Sequence, residues 1–167
     1  MNAHVLQHVA FEGPGSIHEW LDARGAQTSY TRFFENGRLP ALDKVDLLIA
    51  MGGPMSVNDE AELPLAPIRE YWHGETFDLP DGAVRLVKSV ARENRAFQLK
   101  RNVMGLQFHL ETTPESALAI VENCRDELIP GPYVQSEQEL RAIPDSIYKA
   151  VNGLMSDVLT HLTRAAG

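Results

Sequence analysis

The stretch VDLLIAMGGP, residues 45–54, constrains the fold of this chain more than any other. After Asp46 its apolar residues, Leu47 to Met51, run without a polar interruption and stop at two glycines and a proline. A strand with one wet face would alternate; an unbroken run this short predicts a strand covered on both faces, as in a parallel sheet packed between helices. The residues before it fit that setting. HVLQHV, residues 4–9, predicts a first strand. GPGSIHEWLDARGA predicts a helix, with Pro14 near its start and Gly25 at its stop. QTSYTRFF, residues 27–34, is rich in β-branched and aromatic residues and predicts a second strand, and ENGRLPALDK supplies turn chemistry before the buried run. Strand, helix, strand, turn and strand together predict an α/β fold. The sheet is open and mostly parallel with helices on both faces, and ligands sit beyond the carboxyl ends of its strands.

Further along, AVRLVKSV and RAFQLKRNVMGLQFHL read as strands, the latter as a pair joined tightly at Arg101 and Asn102. TPESALAIVENCRDEL predicts a helix with Thr113 as N-cap, Pro114 at the first position and Glu115 in the first turn. The tail carries a capping-box pattern, SEQE, from Ser136, then a helical stretch from about Asp145 that Asn152 and Gly153 are expected to interrupt. With 167 residues and no linker, repeat or low-complexity segment, the chain is expected to form a single domain spanning 1–167.

Bulk composition excludes several classes of function. A hydrophobic content of 44% with 23% charged residues is that of a soluble globular protein, and no apolar run is long enough to cross a bilayer. Phosphate backbones need a basic face; the net charge of −8 and the absence of a Lys/Arg cluster argue against nucleic acid as partner. No basic leader precedes an apolar block, so a cytoplasmic location is expected, and the single cysteine agrees with a reducing compartment. A small-molecule or protein partner is expected, and no cofactor fingerprint is present.

Chemistry enters at VMGLQFHLE, residues 103–111, where His109 and Glu111 stand two apart. If that segment is extended, both side chains leave the same face of the strand and can hydrogen-bond. A carboxylate that accepts one imidazole N–H fixes the ring's tautomer and stabilises the imidazolium formed when the other nitrogen takes a nucleophile's proton. On spacing alone, the commoner meaning is a surface histidine beside a surface acid. Gly52 and Gly53, at the end of the buried run, let the backbone approach a ligand closely and can turn N–H groups toward a developing oxyanion. A plain tight turn fits the same residues equally well. A metal site shared by His73 and His109 is disfavoured, because no acidic or thiol ligands stand at a recognisable zinc spacing. His4, His8, His18 and His161 read as structural or surface residues.

Taken together, MGGPMSVNDE, WHGETFDLP and GLQFHLETTPE, in this order, resemble the class I glutamine amidotransferases, specifically the stand-alone GMP synthase-like group. The resemblance runs from the first strand to about Ser136. It implies a flavodoxin-like sheet and a Cys-His-Glu triad that hydrolyses the side-chain amide of glutamine through a thioester to glutamate and ammonia. It further implies His109 as general base, Glu111 as its orienting carboxylate, and the N–H of Gly53, with Gly52 beside it, in the oxyanion hole. His73 would line the substrate site. A separate synthetase or acceptor subunit would use the ammonia, and γ-glutamyl peptides are alternative substrates of the same triad.

One part of the family's pattern is missing. Its nucleophilic cysteine sits in a Gly-x-Cys-x-Gly turn between a central strand and a helix, placed between the GGP loop and the HGE segment. Here only EAELPLAPIREY, residues 60–71, fills that interval. A single crossover to a parallel strand already takes a dozen or more residues, so the elbow, its strand and its helix cannot fit. Cys124 does not replace it. Ala117, Ile120, Val121, Cys124 and Leu128 fall on one helical face, which makes the thiol a packing residue. Ser56 lies near the glycine loop but has no base placed for it.

Two readings of the gap follow: an amidotransferase from which an internal segment near residues 60–71 is missing, leaving the sheet incomplete in the centre, or a non-catalytic binding or regulatory domain. The first is favoured, since removing a central strand exposes two apolar sheet edges. Either way, this chain is expected to be inactive.

Overall fold

In the computed structural model, residues 1–35, 37–53, 78–89, 93–128 and 135–164 are described. The expected gap near residues 60–71 falls outside them. By its internal contacts the chain divides into two units, one of Met1–Met51 with Leu110–Ser156 and one of Gly52–His109 with Asp157–Gly167.

The first unit is built on three parallel strands, β1 (Asn2–Gln7), β2 (Gln27–Arg32) and β3 (Leu47–Ala50), in the order β2-β1-β3. This is the opening half of the flavodoxin-like order 2-1-3-4-5. β1 lies in the middle and buries Ala3, His4, Val5, Leu6 and Gln7 in succession, on both faces. The helix α1 (Ser16–Asp22) connects it to β2 and buries Ile17, Trp20 and Leu21, at i, i+3 and i+4, as one apolar stripe. Gly25, with φ +61°, closes the turn after α1, where the sequence placed its stop.

The structure corrects the reading of β3. Ile49 is buried, but Leu48 is 48% exposed, so β3 is not covered on both faces. β3 stands at one end of the order β2-β1-β3, and among the described residues its far edge pairs with no strand. In the flavodoxin-like order that edge is where a fourth strand would sit. β1, whose sequence is less apolar, takes the doubly covered position instead.

The helices of this unit begin as their sequences dictate. α2 (Pro114–Asn123) is capped by Thr113, whose hydroxyl accepts from the Ser116 N–H while the Ser116 hydroxyl accepts from the Thr113 N–H. α3 (Glu137–Arg141) repeats the device with Ser136 and Glu139. α2 is shorter than expected: it ends at Asn123, and a 3-10 turn, Arg125–Glu127, follows. Cys124 is the C-cap and is buried, as the sequence predicts.

α4 (Asp145–Arg164) runs unbroken through Asn152 and Gly153, which overturns the expected interruption. Tyr148, Met155 and Leu159 are buried along it at i, i+7 and i+11, and Asn152 falls on the same stripe at i+4. Burial along the stripe outweighs the cost of about 1 kcal/mol that a helical glycine imposes.

The second unit holds an antiparallel meander of β4 (Ala83–Val87), β5 (Ala96–Leu99) and β6 (Val103–Leu106). A bulge between Arg85 and Val87 breaks the β4/β5 register. The tight connection expected at Arg101 and Asn102 is present, with Lys100 at φ 54°. Gly105 is required opposite Phe97, since a Cβ there would lie 2.2 Å from the ring. The last turns of α4 belong to this unit, and the Gln98 side-chain amide lies 3.4 Å from His161 Nε2.

Candidate active site

Two strand ends and one irregular segment present the residues singled out by the sequence. β3 ends at Ala50, and its continuation is held at Met51, whose N–H donates to the Leu6 carbonyl and whose carbonyl accepts from His8 Nδ1 at 2.7 Å. A carbonyl only accepts, so Nδ1 carries the proton and the tautomer of His8 is fixed. His8 also stacks on Phe33, with ring centroids 4.9 Å apart. The carboxyl ends of all three parallel strands are thereby tied together at the point where strand order reverses, the position at which open α/β sheets bind ligands. Gly52 and Gly53 follow directly from this tied end; Gly52 is half-buried and Gly53 buried.

His109 does not sit on a strand. β6 stops at Leu106, and residues 107–112 form bends and irregular backbone. His109 and Glu111 therefore do not share the face of a strand, contrary to the expectation from their spacing. The ladder with β5 continues by one bond, Gln107 N–H to the Arg95 carbonyl, and the Arg95 guanidinium lies 5.8 Å from the Phe108 ring. These contacts fix the backbone leading into His109, which is half-buried.

Glu111 is 8% exposed, which separates it from the surface acid that its spacing alone would allow. Its backbone is held from two directions. The Ser16 N–H, the first amide of α1, donates to the Glu111 carbonyl at 2.9 Å. α1 has no side-chain cap, and this carbonyl satisfies one of its orphan donors. Gly15 makes the approach possible: its φ is +49°, and a Cβ there would lie 2.2 Å from the Glu111 oxygen. On either side, the Asn152 side-chain amide donates to the carbonyls of Leu110 at 2.8 Å and Thr112 at 2.9 Å.

Met51 and Glu111 belong to the first unit, and Gly52, Gly53 and His109 to the second. His73 and Ser56 lie outside the described residues. Cys124, 6% exposed at the end of α2, is set for packing. His4 is also buried: its Nε2 lies 2.9 Å from the Thr31 hydroxyl, which itself donates to the Arg38 carbonyl, and its Nδ1 lies 2.7 Å from the Ser29 hydroxyl. Burial holds its pKa below the usual value. His18 forms an exposed pair with Asp22. No group of three His, Cys, Asp or Glu able to hold a metal occurs among the described residues. No described helix is long and apolar enough to cross a membrane.

Sequence reasoning missed Gly15, Ser16 and Asn152. The GPG turn before α1 signalled a special backbone, but no local pattern marks Asn152, because its partners lie about forty residues away.

Solved glutamine amidotransferases share this fold. That from Methylobacillus flagellatus superimposes with a TM-score of 0.84 at 20% identity, covering 98% of this chain and 94% of that one. That from Thermotoga maritima gives 0.82 at 19% identity, covering 98% of each chain. No protein-family model matches the sequence, and no curated protein matches it.

Proposed function

We propose that this chain is a glutamine amidotransferase-type domain whose chemistry is hydrolysis of the glutamine side-chain amide to glutamate and ammonia. The observation that carries the reading is a buried Glu111 two residues after His109, on a fold shared with solved glutamine amidotransferases. In this chemistry a thiolate adds to the amide carbon, and the oxyanion so formed is held by backbone N–H groups, here those of Gly53 and Gly52. The imidazolium of His109 donates its proton to the departing nitrogen, ammonia leaves, and a γ-glutamyl thioester remains. Water then attacks the thioester while His109 takes its proton, and glutamate is released. Glu111 orients the ring and stabilises its charged form. The ammonia passes to a synthetase subunit or is released.

The thiolate is the missing part. The only cysteine in the sequence is the buried Cys124. The 167-residue chain is therefore inactive on glutamine, and the active form carries a Gly-x-Cys-x-Gly turn between Asp59 and Trp72. Intact mass and glutamate release, measured together on protein isolated from its source, test this. A species heavier than 18.5 kDa that releases glutamate, and loses that activity on His109→Ala, is expected. Hydrolysis that survives His109→Ala refutes the assignment. A second reading, a non-catalytic binding domain, is favoured specifically by the burial of Cys124. A mass of 18.5 kDa with silence on both glutamine and γ-glutamyl peptides would establish it over the first.

A further inference from the structure

The three consecutive carbonyls around Glu111 are all held by atoms distant in sequence: Leu110 and Thr112 by the Asn152 amide, and Glu111 by the Ser16 N–H. We infer that Asn152 is the positioning residue of Glu111, clamping the turn that presents this carboxylate. The inference rests on the proposed role of Glu111 as the partner of His109.

The geometry favours a clamp over a simple helix contact. Residues 110–112 have no regular secondary structure, so no ladder fixes their backbone dihedrals, and Thr113 already begins the cap of α2. A carboxylate on such a segment would sample many directions unless its backbone were tied on both sides. One planar amide with two N–H donors can tie carbonyls two residues apart, and among common side chains only Asn and Gln carry it. Asn is a poor helix former compared with Ala or Leu, and it is followed here by Gly153. α4 thus gives up intrinsic helix stability at the residue that faces the turn. The opposite side is equally specific. Gly15 leaves room for the Glu111 oxygen and brings the Ser16 N–H onto it, so Glu111 is gripped between the start of α1 and the middle of α4.

Asn152→Leu keeps the size of the side chain and removes both donors, while Lys149→Ala, an exposed change on the same helix, serves as control. Two readouts on the folded 167-residue chain decide the matter. The first is hydrogen exchange at the Ser16 amide relative to the amides of β1. Asn152→Leu is expected to speed it at least tenfold without changing β1, and Lys149→Ala to leave it unchanged. The second is the 15N signature of the neutral His109 ring, which shows which nitrogen carries the proton. Glu111→Gln is expected to redistribute that proton, and Asn152→Leu to reproduce the change.

If Glu111→Gln leaves the ring signature unmoved, the His109 and Glu111 pairing fails, and this inference with it. If Glu111→Gln moves the signature and Asn152→Leu does not, the pairing stands and the positioning role of Asn152 is overturned. Should Asn152→Leu fail to fold, Asn152→Asp, which keeps the shape but loses both donors, is read in its place with the same criteria.

Discussion

Replacing Gly15 by alanine puts a single methyl group where the structure has a backbone oxygen. Gly15 stands at φ 49° and ψ −130°, and a Cβ added to it would lie 2.2 Å from the Glu111 carbonyl oxygen and 3.0 Å from its carbon. Holding an L-residue in so sparsely populated a region costs about 1–3 kcal/mol. The clash is with backbone, not with a yielding side-chain tip, so the Ser16 to Glu111 hydrogen bond must lengthen or break, which adds about 1 kcal/mol. Gly15→Ala is therefore expected to destabilise the chain by about 2–4 kcal/mol, a large part of a small domain's stability. Two other glycines calibrate the result. Gly25 has φ +61° but nothing within 4 Å of a Cβ, so Gly25→Ala should show backbone strain alone, about 1–2 kcal/mol. Gly153 is exposed inside α4 with nothing within 4 Å, so Gly153→Ala should stabilise by about 0.5–1 kcal/mol. Urea unfolding at one temperature gives all three on one scale. The order Gly153 above wild type, then Gly25, then Gly15 is expected. If Gly15→Ala costs no more than Gly25→Ala, the close packing of the loop against Glu111 is wrong.

Three further outcomes are expected. His4 is buried with a depressed pKa, so the unfolded chain, at the usual 6.5, binds the proton more readily than the folded one. Its contribution is complete above that value and is lost as pH falls from 6.5 through the folded pKa; His4→Leu should flatten that part of a stability against pH curve, and an unchanged slope would exclude His4 as its source. Thr113→Ala removes the hydroxyl that caps α2 and should lower stability by about 1 kcal/mol, measured by thermal melting; a neutral result would show that the cap contributes nothing. The Cys124 thiol should resist a thiol reagent in the folded protein and react at once in denaturant, whereas rapid labelling of the native chain would contradict its burial and reopen its candidacy as nucleophile.

Much of the local structure was legible in the sequence because its causes are local. Thr113 and Ser136 sit three residues before the side chains that complete their caps, so each helix start is fixed within one turn of chain. Pro14 and Gly25 bracket α1, and the turn after β5 falls where the apolar runs break. The alternation of strand and helix gave the α/β class, and the motifs around Gly52 and His109 pointed to an amidotransferase-like fold that the solved structures share. The burial of Cys124 followed from helical spacing, although the helix itself ends one residue earlier.

What the sequence misjudged depends on partners far along the chain. VDLLIAMGG is apolar enough for a central strand, yet its burial is set by what lies beside it, and β3 leaves Leu48 open while β1 takes the middle. β6 ends at Leu106, with one last backbone bond from Gln107 to Arg95 beyond it, and no pattern within GLQFHLE encodes that limit. Asn152 and Gly153 look like a helix break when read with their neighbours alone. In the folded chain Asn152 lies on the buried stripe of α4 with carbonyls of residues 110 and 112 to satisfy. Caps and turns are settled by hydrogen bonds within a few residues, which any reading of the sequence contains. Strand order, strand ends and the grip on Glu111 are settled by atoms that only the folded backbone brings within bonding distance.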